Sequence, residues 1–308
     1  MPMPTLLDIA KANGSEAVVG LIDESTKVHP ELVLGAARTI KGLNYKTLVR
    51  TAVPTGNSFR AANEGVASAK GTYINRLVEA FILNPRWDCD KAIADAHEDG
   101  AAAFIALEGG AILEGAMQDL CSQFYYGTGA GGSAKGFPGL LASLDTTNMV
   151  IDAAGTTATT GSSVWAVRWG PKQVQWIWGL NGQLALSDVR EESVVDSGGT
   201  NKYTAYVQEI LARPGVQVGS LFSIARLKKL TADVGHTLTD DLIAQLLALF
   251  PAGTQPDVLL MSRRSRAQLQ NSRTATNATG APAPFPIDAF GIPIAASDAI
   301  LNTEALTL

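Results

Sequence analysis

Two strand-like runs, Tyr45–Thr51 and Thr72–Phe81, are separated by a stretch from Pro54 to Gly71 whose eighteen residues are too many for a tight turn. Both runs are rich in aromatic and branched side chains. Hairpin loops usually take ~2–5 residues, and longer structureless loops in a compact domain are usually functional or disordered. The stretch between holds Gly56, Gly65 and Gly71, with Phe59 and Val66 its larger apolar groups. It has little to bury against its own chain, so the pattern predicts an arm that reaches outward. A solitary enzyme has scant use for such an arm. A subunit that clasps its neighbour does.

At 308 residues the chain can bury a substantial core and is long enough for two domains. Hydrophobic residues make up 46% and charged ones 17%, which suits a globular protein with extensive buried or interfacial surface. The net charge of −5 argues against a dedicated nucleic-acid binder, which carries a basic excess or stripe. No apolar run approaches the roughly 18–20 residues that span a bilayer, so no membrane partner is expected. The start, Met1-Pro2-Met3-Pro4, lacks the charged region and apolar core of a secretion signal. Cys89 and Cys121, the two cysteines, read as free thiols in a reducing cytosol.

Along the chain the texture changes several times. Thr5 with Asp8 resembles a capping box, and Ser15 to Glu24 can form a second short helix; helices this short need something to pack against. Pro85-Arg86-Trp87 marks a bend, after which Asp90 to Tyr126 predicts one long helix, Ala-rich and free of proline. Its Gly109 and Gly110 imply close backbone packing or a bend. Val164–Trp169, Gly170-Pro171-Lys172 and Gln173–Trp178 read as a hairpin, with Tyr203–Leu211 and Leu221–Lys229 as further strands. From about Leu230 a small α/β unit follows: a helix capped by Thr239, the buried strand Val258–Met261, a helix capped by Ser262, and a last strand at Ile292–Ala295.

Catalytic chemistry finds little support. Gly127-Thr128-Gly129-Ala130-Gly131-Gly132 satisfies G-x-G-x-x-G, but the pattern means dinucleotide binding when a strand precedes it, and here a helix does. A glycine-rich connector is the better account. A nucleotide-binding enzyme using the Gly127–Gly136 loop stays as the remote alternative. His29, His97 and His236 lie far apart, and none sits in a ligand-spaced motif; His97-Glu98-Asp99 reads as a solvated helix face. No G-x-S-x-G elbow is present. Four of the five tryptophans fall in the two strands around Gly170, and sheet packing explains them better than a stacking platform for sugars or bases. Arg226, Lys228, Lys229, Arg263, Arg264, Arg266 and Arg273 form the basic concentrations. Either phosphate or nucleic-acid contact, or inter-subunit pairing with the acidic surplus or simple solvation, can account for them. No catalytic residue, cofactor or metal site is expected.

Taken in order, these segments resemble the major capsid proteins of tailed bacteriophages, the Hong Kong 97-type shell fold. The stretches that carry the likeness are Arg38–Gly42 running into Tyr45–Thr51, Phe137-Pro138-Gly139-Leu140 after the long helix, Ser163–Gly170, and the closing Phe290–Ile294. The resemblance implies an α+β fold: an N-terminal arm (1–37), an extended β-hairpin loop (38–82), a peripheral domain with spine helix and β-sheet (83–229), and a small α/β axial domain with a C-terminal return (230–308). It implies a head protein that self-assembles as pentamers and hexamers into an icosahedral shell enclosing phage DNA. A nanocompartment shell of the encapsulin kind is the alternative.

Expected contacts with neighbouring subunits come from the extended loop: Tyr45, Arg50, Phe59, Arg60, Glu64, Lys70 and Arg76. Expected partners are copies of the chain itself, a separate scaffolding protein (the chain enters its arm at once), a portal, and double-stranded DNA held without sequence specificity. Some family members weld neighbours through Lys–Asn isopeptide bonds. Lys41, Lys46 and Lys70 sit in or near the arm, but no spacing identifies a reacting pair, so a non-covalent shell is expected. The place would be the virion, with assembly in the host cytoplasm.

Overall fold

Strand β6 (Ser162–Val167) is buried at every position, and its neighbours explain why. It lies inside a six-stranded sheet, between the strands Val258–Met261 and Ile224–Leu230; beyond the first lie Ile292–Ala296 and Asp288–Ala289, and beyond the second Val150–Asp152. The computed structural model describes residues 25, 27–54, 59–129, 131–144, 148–182, 185–196, 198–278 and 280–307. The short helices expected before residue 25 lie outside them.

In chain order the elements begin with α1 (Pro30–Leu34), β1 (Ala37–Thr39), β2 (Asn44–Ala52), β3 (Thr72–Glu79) and β4 (Arg86–Asp90). Next come α2 (Lys91–Ala94), α3 (Ala101–Tyr126), β5 (Val150–Asp152), β6, β7 (Val174–Trp178) and β8 (Ala185–Leu186). Then follow β9 (Arg190–Val195), β10 (Lys202–Leu211), β11 (Pro214–Val218) and β12 (Ile224–Leu230). The chain finishes with α4 (Asp240–Ala248), β13 (Val258–Met261), α5 (Arg263–Ala275), β14 (Asp288–Ala289) and β15 (Ile292–Ala296).

Alternation along the sheet sends side chains into two separate cores. Trp165, Val167, Ile224, Val258 and Leu260 face the aromatic end of α3. Val164, Ala166, Ala225, Leu227, Leu259 and Met261 face Ile243 and Leu246 of α4 and Leu269 of α5. A sheet covered on both sides reads as continuous apolar sequence, which is why Val258-Leu259-Leu260-Met261 shows no polar alternation. Both helix caps expected from sequence form: Thr239 Oγ1 accepts from Leu242 N at 3.3 Å, and Ser262 Oγ from Ser265 N at 3.2 Å. The boundary expected at residue 230 falls inside β12, since the sheet draws β5, β6 and β12 from earlier in the chain.

The long helix is shorter than its sequence predicts. Asp90 caps the brief α2 by accepting from Ala92 N at 2.9 Å, and a turn through His97 follows. Gly100, at φ +84°, then restarts the chain as α3. The 26 residues of α3 span about 39 Å at ~1.5 Å per residue. Gly109 lies close to Gln208, where an added Cβ would stand 3.0 Å from Oε1, while Gly110 and Gly115 face open space. Close packing at one of the two glycines answers part of the question the sequence raised.

The expected tryptophan hairpin does not form. Chain reversal at Gly170 is real: Gly170 N donates to Val174 O and Gln173 N to Gly170 O, both at 3.0 Å. Beyond the isolated bridge Trp169–Val174 the two strands part company. While β6 joins the six-stranded sheet, β7 lies between β1 (parallel) and β11 (antiparallel) in a second sheet. Each strand is buried along almost its whole length, so each needs its own pair of covering layers. The tryptophans do serve packing, as expected: Phe124 stacks on Trp176 at 4.9 Å and on Trp169 at 5.7 Å, and Trp165 tilts against Tyr125 at 5.8 Å. A third sheet holds β4 and β9 on either side of β10, with β8 pairing the end of β10.

A buried ion pair closes the C-terminal return. Arg226 and Glu304 are each 2% exposed, with Arg226 Nη2 donating to Glu304 Oε2 at 3.1 Å. Ser163 Oγ and Tyr126 OH also donate to that carboxylate, at 2.5 and 2.6 Å, and Leu301 N donates to Tyr126 OH at 2.8 Å. The cluster joins α3, β6, β12 and the last residues. Removing one member leaves a buried charge without its partner. Glu304→Ala is expected to cost the unassembled subunit about 3–5 kcal/mol in urea unfolding, while Lys91→Ala, at an exposed pair with Glu191, leaves the midpoint unchanged.

Candidate assembly surface

Strands β2 and β3 pair with each other and with no other strand among the described residues. At ~3.4 Å per residue the nine residues of β2 extend about 30 Å. Isolated two-stranded hairpins are marginal in water, so what holds this one matters. Its root is tied to β11: Arg76 Nη1 donates to Val218 O at 2.9 Å, and the Tyr45 hydroxyl donates to Gln217 Oε1. Arg38 lies over the Tyr45 ring at 5.3 Å, and Ala80 N donates to Leu43 O at 2.7 Å. Beyond the root the face with Leu48 is open, and past Val49 both faces are. Leu48 is 70% exposed and Phe59 95%, with Val53, Val66, Tyr73, Ile74 and Leu77 also outside.

The seven loop residues singled out in sequence therefore divide. Tyr45 and Arg76 are half-buried at the root and hold the hairpin to its own body. Arg60 and Glu64 make a local turn, with Arg60 Nη1 donating to Glu64 O at 2.9 Å and Glu64 Oε2 accepting from Ala61 N at 3.0 Å. Arg50, Phe59 and Lys70 are exposed. The apolar residues Leu48, Tyr73, Ile74 and Leu77, which sequence reasoning passed over, turn outward alongside them. Their signal was apolar character on both faces of a strand that has no covering layer.

The basic concentrations are used inside the chain. Arg273 grips Asp240 through two bonds of 2.8 and 2.7 Å, and Arg264 donates to the carbonyls of Thr160, Asn302 and Leu230. Arg266 bonds Pro286 O at 2.6 Å and covers Phe285; Arg263 pairs with Asp298, and Lys229 with Asp152. From sequence, phosphate or nucleic-acid contact, inter-subunit pairing and solvation were all open for these residues. They brace the α/β unit.

Glycine spacing around Gly127–Gly136 serves close packing. Gln123 Nε2 donates to Phe137 O at 2.7 Å and to Ser133 O at 3.2 Å, and its Oε1 accepts from Ser133 N at 2.6 Å. The N–H groups of Gly127 and Gly129 go to carbonyls of Gln123 and Tyr126 at the end of α3, and those of Gly132 and Gly136 to Gly129 and Ser133 within the segment, so they are not turned toward a phosphate. An added Cβ at Gly132 would stand 1.9 Å from Gly127 O. The loop also lines a cleft of about 470 Å³ beside Phe81–Pro85 and the middle of α3.

Of the histidines, His236 Nδ1 contacts Ala153 O at 2.6 Å, and His97 Nδ1 accepts from Asp99 N at 3.2 Å in a turn instead of on a helix face. His29 stands beside Glu31 of α1 and Cys121 of α3. Burial raises the pKa of the Glu31 carboxyl, and burial next to that carboxyl raises the Cys121 thiol. Cys89 is pushed up to about 11 by burial and by nearby acidic groups, so neither thiol is activated as a nucleophile.

A spine helix, a projecting hairpin and a two-faced α/β sheet together make the Hong Kong 97-like capsid fold. The profile described as Major capsid protein GP7 matches residues 14–307, and the chain belongs to that family of shell proteins. No curated protein matches it. Among solved structures, one from bacteriophage epsilon15 superposes with a TM-score of 0.75 at 21% identity, covering 99% of this chain and 98% of that one. The capsid of Myoviridae phage XM1 gives a TM-score of 0.47 at 11% identity, covering 68% of this chain and 95% of that one. The holo-SrpI encapsulin complex from Synechococcus elongatus PCC 7942 gives 0.47 at 11%, covering 77% and 99%.

Gln123→Ala tests the packing account of the glycine loop. It is expected to cost about 1–3 kcal/mol by stranding buried backbone groups, read as a lowered unfolding midpoint, with no change in the melting response to added nucleotides.

Proposed function

We propose that copies of this chain build an icosahedral shell as pentamers and hexamers, each hairpin lying over a neighbouring subunit, around double-stranded phage DNA. The observation that carries the reading is the hairpin itself: a row of exposed apolar side chains on an element with almost nothing of its own to pack against. Soluble monomers rarely leave such patches uncovered, and a closed symmetric assembly repeats one modest contact many times. Arg50, Phe59, Arg60, Glu64 and Lys70 are the polar and apolar contacts offered to the neighbour, with Tyr45 and Arg76 fixing the angle at which the hairpin leaves.

In this reading residues 1–37 are the arm and 38–82 the extended loop. The spine helix with the β4-β10-β9 sheet forms the peripheral part, and the six-stranded sheet with α4 and α5 the axial part, near the five- and six-fold axes. The role is structural. A net charge of −5, with many of the basic side chains engaged internally, suits a wall that does not grip packaged DNA by sequence. A separate scaffolding protein and a portal complete the partners, and assembly takes place in the host cytoplasm.

Replacing residues 53–71 by an Asn-Gly turn removes the tip and leaves the root bonds in place. The shortened chain is expected to keep its circular dichroism and melting temperature but to form no angular shells by negative-stain microscopy. In the intact protein, β2 and β3 amides should exchange quickly in free subunits and slowly in shells, while β6 stays slow in both. Equal exchange of the hairpin in the two states would overturn the proposal.

A further inference from the structure

Where the N-terminal segment enters the body of the subunit, three side chains of different chemistry converge. His29 and Glu31 flank Pro30 at the start of α1, and Cys121 projects from α3. Their donor atoms, an imidazole nitrogen, a carboxylate oxygen and a thiol sulfur, all lie within 4.8 Å of one another. His29 Nδ1 is 3.6 Å from Glu31 Oε1. No other group of three such residues comes together among the described residues.

A cluster alone would not mark a site, since Glu31 has other partners. Tyr125 OH and Ser297 Oγ donate to its carboxylate at 3.3 and 3.2 Å. The independent observation is the histidine. Its side chain is 8% exposed, yet neither ring nitrogen has a hydrogen-bond partner. A buried donor or acceptor left unmade costs about 1–3 kcal/mol, and native structures seldom tolerate one without a reason. Here Nδ1 stands at ion-pair distance from a buried carboxylate, too far for a hydrogen bond, with a thiol alongside.

We propose that His29, Glu31 and Cys121 form a binding site for a zinc-like divalent cation that fastens the root of the N-terminal segment to the spine helix. Nitrogen, oxygen and sulfur donors together match zinc, a borderline-soft ion bound tetrahedrally by these residue types. With bonds of about 2.0–2.3 Å, donors of a tetrahedral site stand roughly 3.3–3.8 Å apart. The cluster needs a contraction of about an ångström. Water fills the fourth position. Binding displaces the thiol proton to solvent, and the cation takes the imidazole lone pair. Backbone bonds between Val28 and Asp298 already hold this point (Val28 N to Asp298 Oδ2 at 2.9 Å, Asp298 N to Val28 O at 3.1 Å). The ion would lock the same junction from the other side.

All three donors belong to one subunit, so the site can be tested whether or not shells form. Purified protein is stripped with a chelator, dialysed against zinc or cobalt(II), and assayed for bound metal per chain. Expected are about one equivalent of zinc, a higher melting temperature, and, with cobalt, the thiolate-to-metal charge-transfer and d–d absorption of a tetrahedral site. Cys121→Ser and His29→Phe should lose the metal and the melting shift, and Cys89→Ser should retain both. Failure of the unaltered protein to take up metal would overturn the proposal, as would uptake undiminished in Cys121→Ser. Should either site variant fail to fold, the cobalt charge-transfer band in the unaltered protein and in Cys89→Ser decides the matter.

Discussion

Burial of one sheet on both faces is the constraint from which the rest of this subunit follows. Strand β6 sends Trp165 and Val167 toward the end of the spine helix and Val164 and Ala166 toward α4 and α5. The α/β unit and the spine are thereby two sides of a single wall, so neither can shift without unpacking the other. The polar cluster around Glu304 reinforces this at one edge, since Arg226 and Ser163 come from the sheet and Tyr126 from the spine. A rigid body of this kind is what a projecting hairpin requires, because the tip position is only as well defined as the root that aims it.

Much of that architecture was legible in sequence because it rests on local chemistry. The caps at Thr239 and Ser262, the proline-free run of α3 and the over-long connection after β2 are all decided within a few residues. The tryptophan strands were misread for an instructive reason. Gly170-Pro171-Lys172 does turn the chain, and turn chemistry says nothing about whether the flanking strands then pair. Their partners, β12 and β13 for one and β1 and β11 for the other, are remote in sequence. The break before α3 was missed because a glycine inside an alanine-rich pattern looks like a weak spot in a helix. Only its φ of +84° shows a boundary.

The chemistry of single side chains was the least legible part. Arginines clustered between 263 and 273 look like a surface patch when read as a string. In the fold they reach back to Asp240, Asp298 and several carbonyls. His29 and Cys121 carry no spacing signal at all, since α1 is five residues long and meets the spine only through tertiary packing. Charge and metal-ligand patterns in sequence report neighbours along the chain, whereas burial and pairing depend on neighbours across it.

The hairpin shows the reverse case, where the tertiary structure supplies no partner and the sequence alone was informative. Leu48, Ile74 and Leu77 are chemically suited to a core, yet they sit exposed on an element that pairs with no further strand among the described residues. Fully burying a side chain of this size is worth roughly 1.5–3 kcal/mol, a gain forgone by the solitary subunit. The assembly proposed above would recover it against a neighbouring copy. In the proposed shell, the residues that make the isolated chain look unfinished are the ones a neighbouring copy covers.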